Sequence, residues 1–168
     1  HIHVQLIDDL TGTTLAAARS GTPLDLYGVW GSSRREVWAV GFNGTVLRWN
    51  GAIWSAVESN TFQELHGAWG SGPNDVWAVG ARGTMLHWDG ASWSPFGSST
   101  TENLWKVLGV SAQDAWAVGT NGALLRWDGS VWAPVSSGTV QHLAGVWGSS
   151  TQDVWAVGDD GAILRYRP

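Results

Sequence analysis

DVWAVGARGTMLHWDGASW, residues 75–93, recurs with few changes at three other places in the chain. The related copies begin at Glu36, Asp114 and Asp153, and each copy starts 39 residues from its neighbour. The tryptophans of the Trp-Ala-Val run keep this step without insertion or deletion, at Trp38, Trp77, Trp116 and Trp155. A period of this length, held over four copies, indicates a repeat architecture in which each copy is one supersecondary unit.

Each period contains short segments rich in β-branched and aromatic residues. In the first copy they are LYGVWGSS, EVWAVG, TVLRW and AIWSAV, and an Asn-Gly pair precedes both the third and the fourth segment. Such pairs are hairpin-turn signals, and no stretch shows the 3.6-residue apolar spacing of a helix. Four short antiparallel strands in about 40 residues are typical of a β-propeller blade. The sequence therefore predicts an all-β propeller built from four-stranded antiparallel blades.

The composition narrows the classes of function. Charged residues make up 14% of the 168 residues and the formal net charge is −5, which argues against the clustered cations of a nucleic-acid-binding protein. No apolar run approaches the roughly 18 residues of a membrane span. The absence of cysteine excludes disulfides and thiolate metal sites. We expect no cofactor, no metal site, and neither a nucleic-acid nor a membrane partner.

Catalytic signatures are also missing from the sequence. The five histidines have no metal-ligand spacing, no serine lies in a nucleophile elbow, and no two acids stand out as a catalytic pair. The chain is therefore not expected to be an enzyme.

The fourth copy stops at Pro168, after its third strand. Leu15 lies 39 residues before Trp54, and the segment TGTTLAAARSGTPLD around it aligns without a gap with DGSVWAPVSSGTVQH of the third copy. An N-terminal strand is therefore predicted to complete the last blade, through Thr14, Leu15, Ala16 and Ala17. The predicted organisation is one propeller domain with a closing hairpin at 1–25, blades at 26–64, 65–103 and 104–142, and a three-stranded last blade at 143–168.

Two arrangements satisfy this count of strands. A monomer can close a four-bladed ring with its own hairpin, or a homodimer can form one eight-bladed ring in which each chain completes the other's last blade. The placement of residues 1–10 is open as well, because they precede the segment that matches the repeat. The sequence leaves these alternatives undecided.

The repeats resemble a known group of sequences. The run AWGSGPNDVWAVGARGTMLHWDGASW is close to the pattern VWGSSxxDVWAVGxxGxxLxWDGxxW of tryptophan-rich bacterial β-propeller repeats, and the likeness extends over residues 26–168. Such repeats are mostly scaffolds. The resemblance therefore implies a fold without implying a reaction.

The first twenty residues resemble a different family, the β-hairpin of the bacterial large-subunit ribosomal protein that binds 5S rRNA. The shared residues are His1, Ile2, Gln5, Ile7, Asp8, Asp9, Gly12, Thr14, Leu15, Ala16 and Ala18. The basic arm with which that family grips RNA is missing, so RNA binding is not implied. The likeness implies an engineered or selected chimera in which a ribosomal hairpin closes a truncated propeller. A natural propeller with a diverged hairpin is the other interpretation.

Two sets of tryptophans differ in the strand that carries them. Those on the first two strands of each copy are expected to pack between blades, where an indole buries about 150–250 Å²; they are Trp30, Trp38, Trp69, Trp77, Trp116, Trp147 and Trp155. Those on the outer strands are the likelier exposed set and are candidate ligand-binding residues, although packing between blades is favoured for them as well; they are Trp54, Trp93 and Trp132. Trp105 and Lys106 join the candidates because the third copy departs from its siblings there.

The acidic residues have structural interpretations. Asp89 and Asp128 precede glycines and are expected in type I′ turns. Asp75, Asp114 and their equivalents before each second strand are expected to accept backbone N–H bonds. The predicted function is a non-catalytic scaffold, and the alternative is a lectin-like propeller that binds carbohydrate or protein.

Overall fold

The structure is a computed structural model that describes residues 4–8, 13–18 and 24–166. The strands, in chain order, are β1 (Val4–Asp8), β2 (Thr13–Ala18), β3 (Leu26–Ser33), β4 (Glu36–Gly41), β5 (Val46–Trp49), β6 (Trp54–Ala56), β7 (Leu65–Gly72), β8 (Asp75–Gly80), β9 (Met85–Trp88), β10 (Trp93–Pro95), β11 (Leu104–Ser111), β12 (Asp114–Gly119), β13 (Leu124–Trp127), β14 (Trp132–Pro134), β15 (Leu143–Ser150), β16 (Asp153–Gly158) and β17 (Ile163–Tyr166). The helices in these ranges are single 3₁₀ turns at Phe42–Gly44, Ala81–Gly83, Thr120–Gly122 and Asp159–Gly161. None of them is long enough to cross a membrane.

The blades are antiparallel sheets whose strands are ordered as they occur in the sequence. β3 to β6, β7 to β10 and β11 to β14 form four-stranded sheets, and β15 to β17 form a three-stranded one. The register repeats as well: Trp30 lies opposite Trp38, which lies opposite Arg48, and the equivalent residues pair in the other blades. The predicted all-β class and the four-stranded antiparallel blade are confirmed.

The two Asn-Gly pairs of the first blade form different turns. Asn43 and Gly44 both have left-handed backbones, with φ of 53° and 69°, as a tight turn between β4 and β5 requires. At Asn50-Gly51 only Gly51 has a positive φ. The side-chain oxygen of Asn50 instead accepts the N–H groups of Ala52 and Ile53, at 2.9 and 3.0 Å. This second turn is held by the side chain. The turns at Asp89-Gly90 and Asp128-Gly129 are held in the same way, and only their glycines have a positive φ, so the type I′ prediction for Asp89 and Asp128 is wrong.

The hydrophobic core lies between neighbouring blades. One face of the first blade presents Trp38, Val40 and Val46, and these residues pack with Val76, Ala78, Leu86, Trp88 and Trp93 of the second blade. The same arrangement recurs between the second and third blades and between the third and fourth. Each buried indole removes enough apolar surface to contribute about 4–6 kcal/mol before the cost of ordering the chain.

The first strand of each blade, namely β3, β7, β11 or β15, is its inner strand. On the inner strands β7 and β11, a glycine contacts a tryptophan ring of the preceding blade. A Cβ added to Gly70 would lie 2.7 Å from the ring of Trp30, and one added to Gly109 would lie 2.1 Å from the ring of Trp69. The inner-strand tryptophan of one blade therefore fits into a notch that only glycine leaves open in the next blade.

The N-terminal hairpin differs from the predicted closure. β1 and β2 pair with each other in a separate two-stranded sheet, so Thr14, Leu15, Ala16 and Ala17 lie opposite β1. The described pairings do not join them to β17, which is the edge of the last blade. Strands connected by a short loop pair at little cost in chain entropy, which favours the local partner. Completion of the last blade by this strand stays a prediction.

Candidate binding site at the inner strands

A cavity of about 340 Å³ lies where the inner strands of the blades converge. Each inner strand contributes its second residue to the cavity lining: Tyr27 from β3, His66 from β7, Trp105 from β11 and Ala144 from β15. These positions follow one another at the 39-residue step of the repeat, and Glu64 and Lys106 complete the lining. The propeller thus brings together residues that lie far apart in the chain.

Three aromatic rings form one side of the cavity. The ring of His66 lies 5.9 Å from that of Tyr27 and 4.4 Å from that of Trp105. His66 is buried, and its Nδ1 donates to the carbonyl oxygen of Leu104 at 2.9 Å, which holds the ring in place. Its Nε2 lies 3.5 Å from a carboxylate oxygen of Glu64. The aromatic surface is therefore fixed before a ligand arrives.

The charges at the cavity are of both signs. Partial desolvation, with the nearby carboxylates of Glu64 and Asp25, raises the pKa of the Tyr27 hydroxyl above its ordinary value. Tyr27 therefore remains a neutral hydrogen-bond donor at neutral pH. Lys106 provides the positive charge. An apolar surface with one acidic and one basic residue at its border suits the binding of an amino-acid side chain from a ligand.

Metal-ligating side chains do not converge in the part of the chain that the structure describes. No cluster of three or more histidine or acidic side chains with metal-binding geometry occurs among those residues. At the cavity, Glu64 and His66 face a lysine and aromatic rings, which do not constitute a nucleophile with its base.

Two of the three outer-strand tryptophans are buried. Trp93 and Trp132 are only 1% and 2% exposed, so neither can offer a ring face to a ligand. Trp93 lies edge-on to Trp38 of the preceding blade, with ring centroids 5.2 Å apart. Trp54 is half-buried and packs 5.7 Å from Trp49. Trp93 and Trp132 therefore pack in the core between blades, the arrangement that the sequence favoured, and only Trp54 keeps part of its ring exposed.

Trp105 and Lys106, the other two candidates, both line the cavity. Tyr27, His66, Ala144 and Glu64 were not among the ligand-binding residues predicted from the sequence. The repeat register is a signal that could have found three of them, because they share the position of Trp105 in their own copies.

The tryptophans assigned to the space between blades fall into three groups. Trp38, Trp77 and Trp116 are fully buried between neighbouring blades. Trp30 and Trp69 are partly buried against the same clusters. Trp147 and Trp155 lie on the blade formed by β15 to β17, whose outer face no described blade covers: Trp147 is exposed and Trp155 half-buried.

Each blade also contains a hydrogen-bonded pair of one acidic and one basic side chain, which was not predicted from the sequence. Glu36 accepts two hydrogen bonds from Arg48, at 2.7 and 3.0 Å, and Asp114 accepts two from Arg126, at 3.0 and 3.2 Å. Asp75 pairs with His87 at 2.6 Å. These acids therefore bind third-strand side chains, not the backbone N–H groups expected of them. The signal was a basic residue twelve positions after each acid.

Comparison with known proteins identifies the fold of this chain through solved structures. No family model matches the sequence, and no curated protein is significantly similar to it. Among solved structures, YCF48 bound to D1 peptide matches with a TM-score of 0.68 and 21% identity, over 88% of this chain and 51% of that one. The likeness shows a β-propeller fold.

Two further solved structures give the same result. YCF48 from Cyanidioschyzon merolae has a TM-score of 0.67 and 18% identity, over 89% of this chain and 55% of that one. Sqt1 from Chaetomium thermophilum has a TM-score of 0.66 and 16% identity, over 84% and 43%. This chain thus spans about half the length of the solved propellers that it matches.

Proposed function

We propose that this propeller is a non-catalytic scaffold that binds a protein partner through the cavity at its inner strands. One observation carries the proposal: the lining position holds a different residue in each blade, Tyr27, His66, Trp105 and Ala144, whereas the Trp-Ala-Val run, which is buried in the first three blades, is the same in all four copies. Repeat positions that only maintain the fold can stay identical. A position that differs in every copy and faces a cavity is suited to recognition.

A protein ligand fits the lining better than a sugar does. Fixed aromatic rings with a carboxylate and an ammonium at the border match a peptide side chain next to its polar backbone. One of the similar propellers was solved with a bound peptide, D1, so a propeller of this kind can accommodate such a ligand. The tryptophans first considered for sugar stacking, Trp93 and Trp132, are buried.

The origin of the hairpin is a separate proposal. Its chimeric origin rests on the residues shared with the ribosomal hairpin between His1 and Ala18. Binding at the cavity does not depend on it, because every lining residue belongs to the repeats.

Selection from a random twelve-residue peptide display library on the immobilised protein tests the proposed function. Enriched peptides should bind the unmodified protein and lose at least tenfold in affinity with Trp105→Ala, because an aromatic anchor in a pocket typically contributes more than about 1.4 kcal/mol. Ile53→Ala is the matched control, since Ile53 is exposed in a turn at the opposite end of the strands. Equal loss in both variants would contradict the assignment of the cavity.

A glycan array on the same protein separates the alternative. Binding of a glycan that is lost in Trp105→Ala, with no peptide enriched, would replace the proposal with a lectin-like function. Enriched peptides and a silent glycan array are the expected results.

A further inference from the structure

The last blade exposes a face that the other blades bury; we call it the open face, formed by Trp147, Trp155, Val157 and Ile163. In the first blade the equivalents of Val157 and Ile163 are Val40 and Val46, which are 0% and 2% exposed. Val157 and Ile163 are 47% and 66% exposed, and Trp147 is 57% exposed. The residue types that elsewhere form the core between blades are therefore on the surface here, which marks an interaction site.

The first blade exposes the positions that, in the second blade, pack against the preceding blade. Ala68 and Gly70 of the second blade lie against the preceding blade, and Gly70 receives the ring of Trp30. Their equivalents in the first blade are Val29, which is 57% exposed, and Gly31, which is also exposed. We call these two residues the receiving notch. A Cβ added to Gly31 would meet only β4 of its own blade, so no ring from another blade fills this notch.

The chain does not bring its own open face to its own receiving notch. Inner strands of consecutive blades pack side by side, as β3 does with β7 and β11 with β15. β3 and β15 do not pack in this way, although both are fully described. Four blades therefore form an open array with a Trp147 face at one end and a Gly31 notch at the other.

We infer that a second copy of this chain closes the ring, with Trp147 of each copy seated on Gly31 of the other. The contact is head-to-tail, and two such contacts give one eight-bladed ring with two-fold symmetry. Two observations select a second copy as the occupant. The notch has a glycine at the position where Gly70 receives Trp30 and Gly109 receives Trp69 within the chain. The match to this chain spans only about half of each solved propeller, so those propellers contain more of the ring than one copy provides.

The unpaired edge of the last blade lies beside the same contact. Each of the first three blades has a fourth strand after its third, whereas β17 has none among the described residues. In a two-copy ring, Thr13–Ala18 of the second copy precedes the incoming first blade and lies at the matching repeat position. An edge strand of this kind is open to pairing with another chain.

Light scattering on a size-exclusion column gives the first test. The expected mass is twice the 18.0 kDa of the chain, with dissociation only on dilution. A mass of 18.0 kDa at the highest soluble concentration overturns the inference, and so does a broad distribution of larger species, because a closed ring has a fixed size.

Charged variants identify the faces. Trp147→Glu and Val29→Lys should each yield monomers with unchanged far-ultraviolet circular dichroism, because both side chains are already exposed in the single chain. Val131→Lys is the matched control: Val131 is 52% exposed on a middle blade, and this variant should remain dimeric. A dimer that survives Val29→Lys overturns the head-to-tail arrangement.

Mixing the two variants distinguishes this arrangement from a symmetric contact between two open faces. A heterodimer of Trp147→Glu with Val29→Lys keeps one unmodified contact and places the new glutamate beside the new lysine. The mixture should therefore recover dimers that neither variant forms alone. Failure to recover them overturns the inference, while the proposed peptide binding at the cavity is judged separately by its own Trp105→Ala experiment.

Discussion

Gly41, Gly80, Gly119 and Gly158 end the second strand of each blade. A Cβ added at any of them would lie 1.9–2.0 Å from a backbone carbonyl oxygen of the segment that precedes the inner strand. The backbone crosses so closely that no side chain fits. The repeated glycine is therefore a steric requirement of the blade, independent of any ligand.

Gly80→Ala should destabilise the protein by about 3 kcal/mol, because the methyl group would overlap the carbonyl oxygen of Glu64 and force the strand apart. Chemical denaturation followed by tryptophan fluorescence measures the loss. Gly72→Ala is the control: it lies in a strand of the same blade, and an added Cβ meets nothing within 4 Å. Equal midpoints for the two variants would contradict the steric argument.

Asp89 and Asp128 hold their turns through charge-assisted hydrogen bonds. The carboxylate of Asp128 accepts backbone N–H groups of Val131 and Ser130 and the hydroxyl of Ser130, and these bonds lower its pKa from 3.8. Asp89 accepts equivalent backbone bonds from Ser92 and Ala91, which lower its pKa in the same way. Since the folded pKa values lie below the unfolded ones, the stabilisation is present above pH 3.8 and is lost as the pH falls through the lowered values.

Replacing both acids with asparagine should flatten this acid dependence. Asparagine keeps the accepting oxygen, and Asn50 already occupies the equivalent turn of the first blade. Urea midpoints at pH 7 and pH 3 should therefore differ less in the Asp89→Asn, Asp128→Asn double variant than in the unmodified protein. An unchanged difference between the two midpoints would show that these carboxylates do not contribute.

At the scale of elements, the acid–base pairs connect the second strand of each blade to the third. Asp114 is buried, and Arg126 also donates to the Tyr166 hydroxyl of the last blade at 3.0 Å. The Arg126 guanidinium lies over the rings of Trp116 and Tyr166, 5.3 and 5.2 Å from their centroids. Hydrogen bonding to Asp114 raises the pKa of Arg126. This pair therefore joins two blades as well as two strands.

Asp114→Ala should cost about 2–3 kcal/mol, because it removes two charge-assisted bonds and leaves Arg126 partly buried without its anion. Thermal unfolding measures the loss. Asp153→Ala removes the equivalent acid from the last blade, where Arg165 contacts only its own blade and both side chains are more exposed. It should lower the melting temperature less. The reverse order would contradict the argument from burial.

Sequence patterns predicted some of these structural features more fully than others. The β4–β5 turn followed from Asn43-Gly44 because its backbone geometry restricts which residues can occupy it. The strands followed from the 39-residue register, which sets their order and pairing. For Trp93 the sequence favoured packing between blades but did not exclude exposure, because strand alternation gives two faces to a sheet without saying which one a neighbouring blade covers.

At the scale of the whole molecule, stability is distributed unevenly along the array of blades. The second and third blades are covered on both faces, whereas the last blade has an exposed face and an unpaired edge at Ile163–Tyr166. Repeat proteins gain their stability from contacts between neighbours, so a terminal unit with one neighbour opens first.

Amide hydrogen exchange should show this gradient. In dilute solution, where a ring of two copies dissociates, the amides of Ile163–Tyr166 should exchange faster than those of the equivalent third strand at Leu124–Trp127. Raising the protein concentration should protect Ile163–Tyr166 selectively. Equal exchange of the two strands under dilute conditions would contradict an open last blade.

Deletion of residues 1–19 tests the predicted contribution of the hairpin to closure. If the strand around Leu15 supplies the missing fourth strand, the truncated chain should melt at a lower temperature or aggregate through its open edge. A truncated protein with an unchanged melting temperature and an unchanged mass would contradict the prediction.

The sequence by itself determined the blade, its strand order, the tight turn between β4 and β5 and the number of copies, because these depend on local periodicity and on residues restricted to particular backbone shapes. The tertiary structure decided which tryptophans are buried, which residues meet at the cavity, and which faces remain uncovered. Tyr27, His66, Trp105 and Ala144 meet only because the inner strands converge, a contact between positions 39 residues apart that no local pattern encodes. The exposure of Trp147 likewise depends on which blade faces it: among the described residues no blade packs on Trp147, whereas the second blade packs on Trp30, although the two tryptophans have matching surrounding sequences.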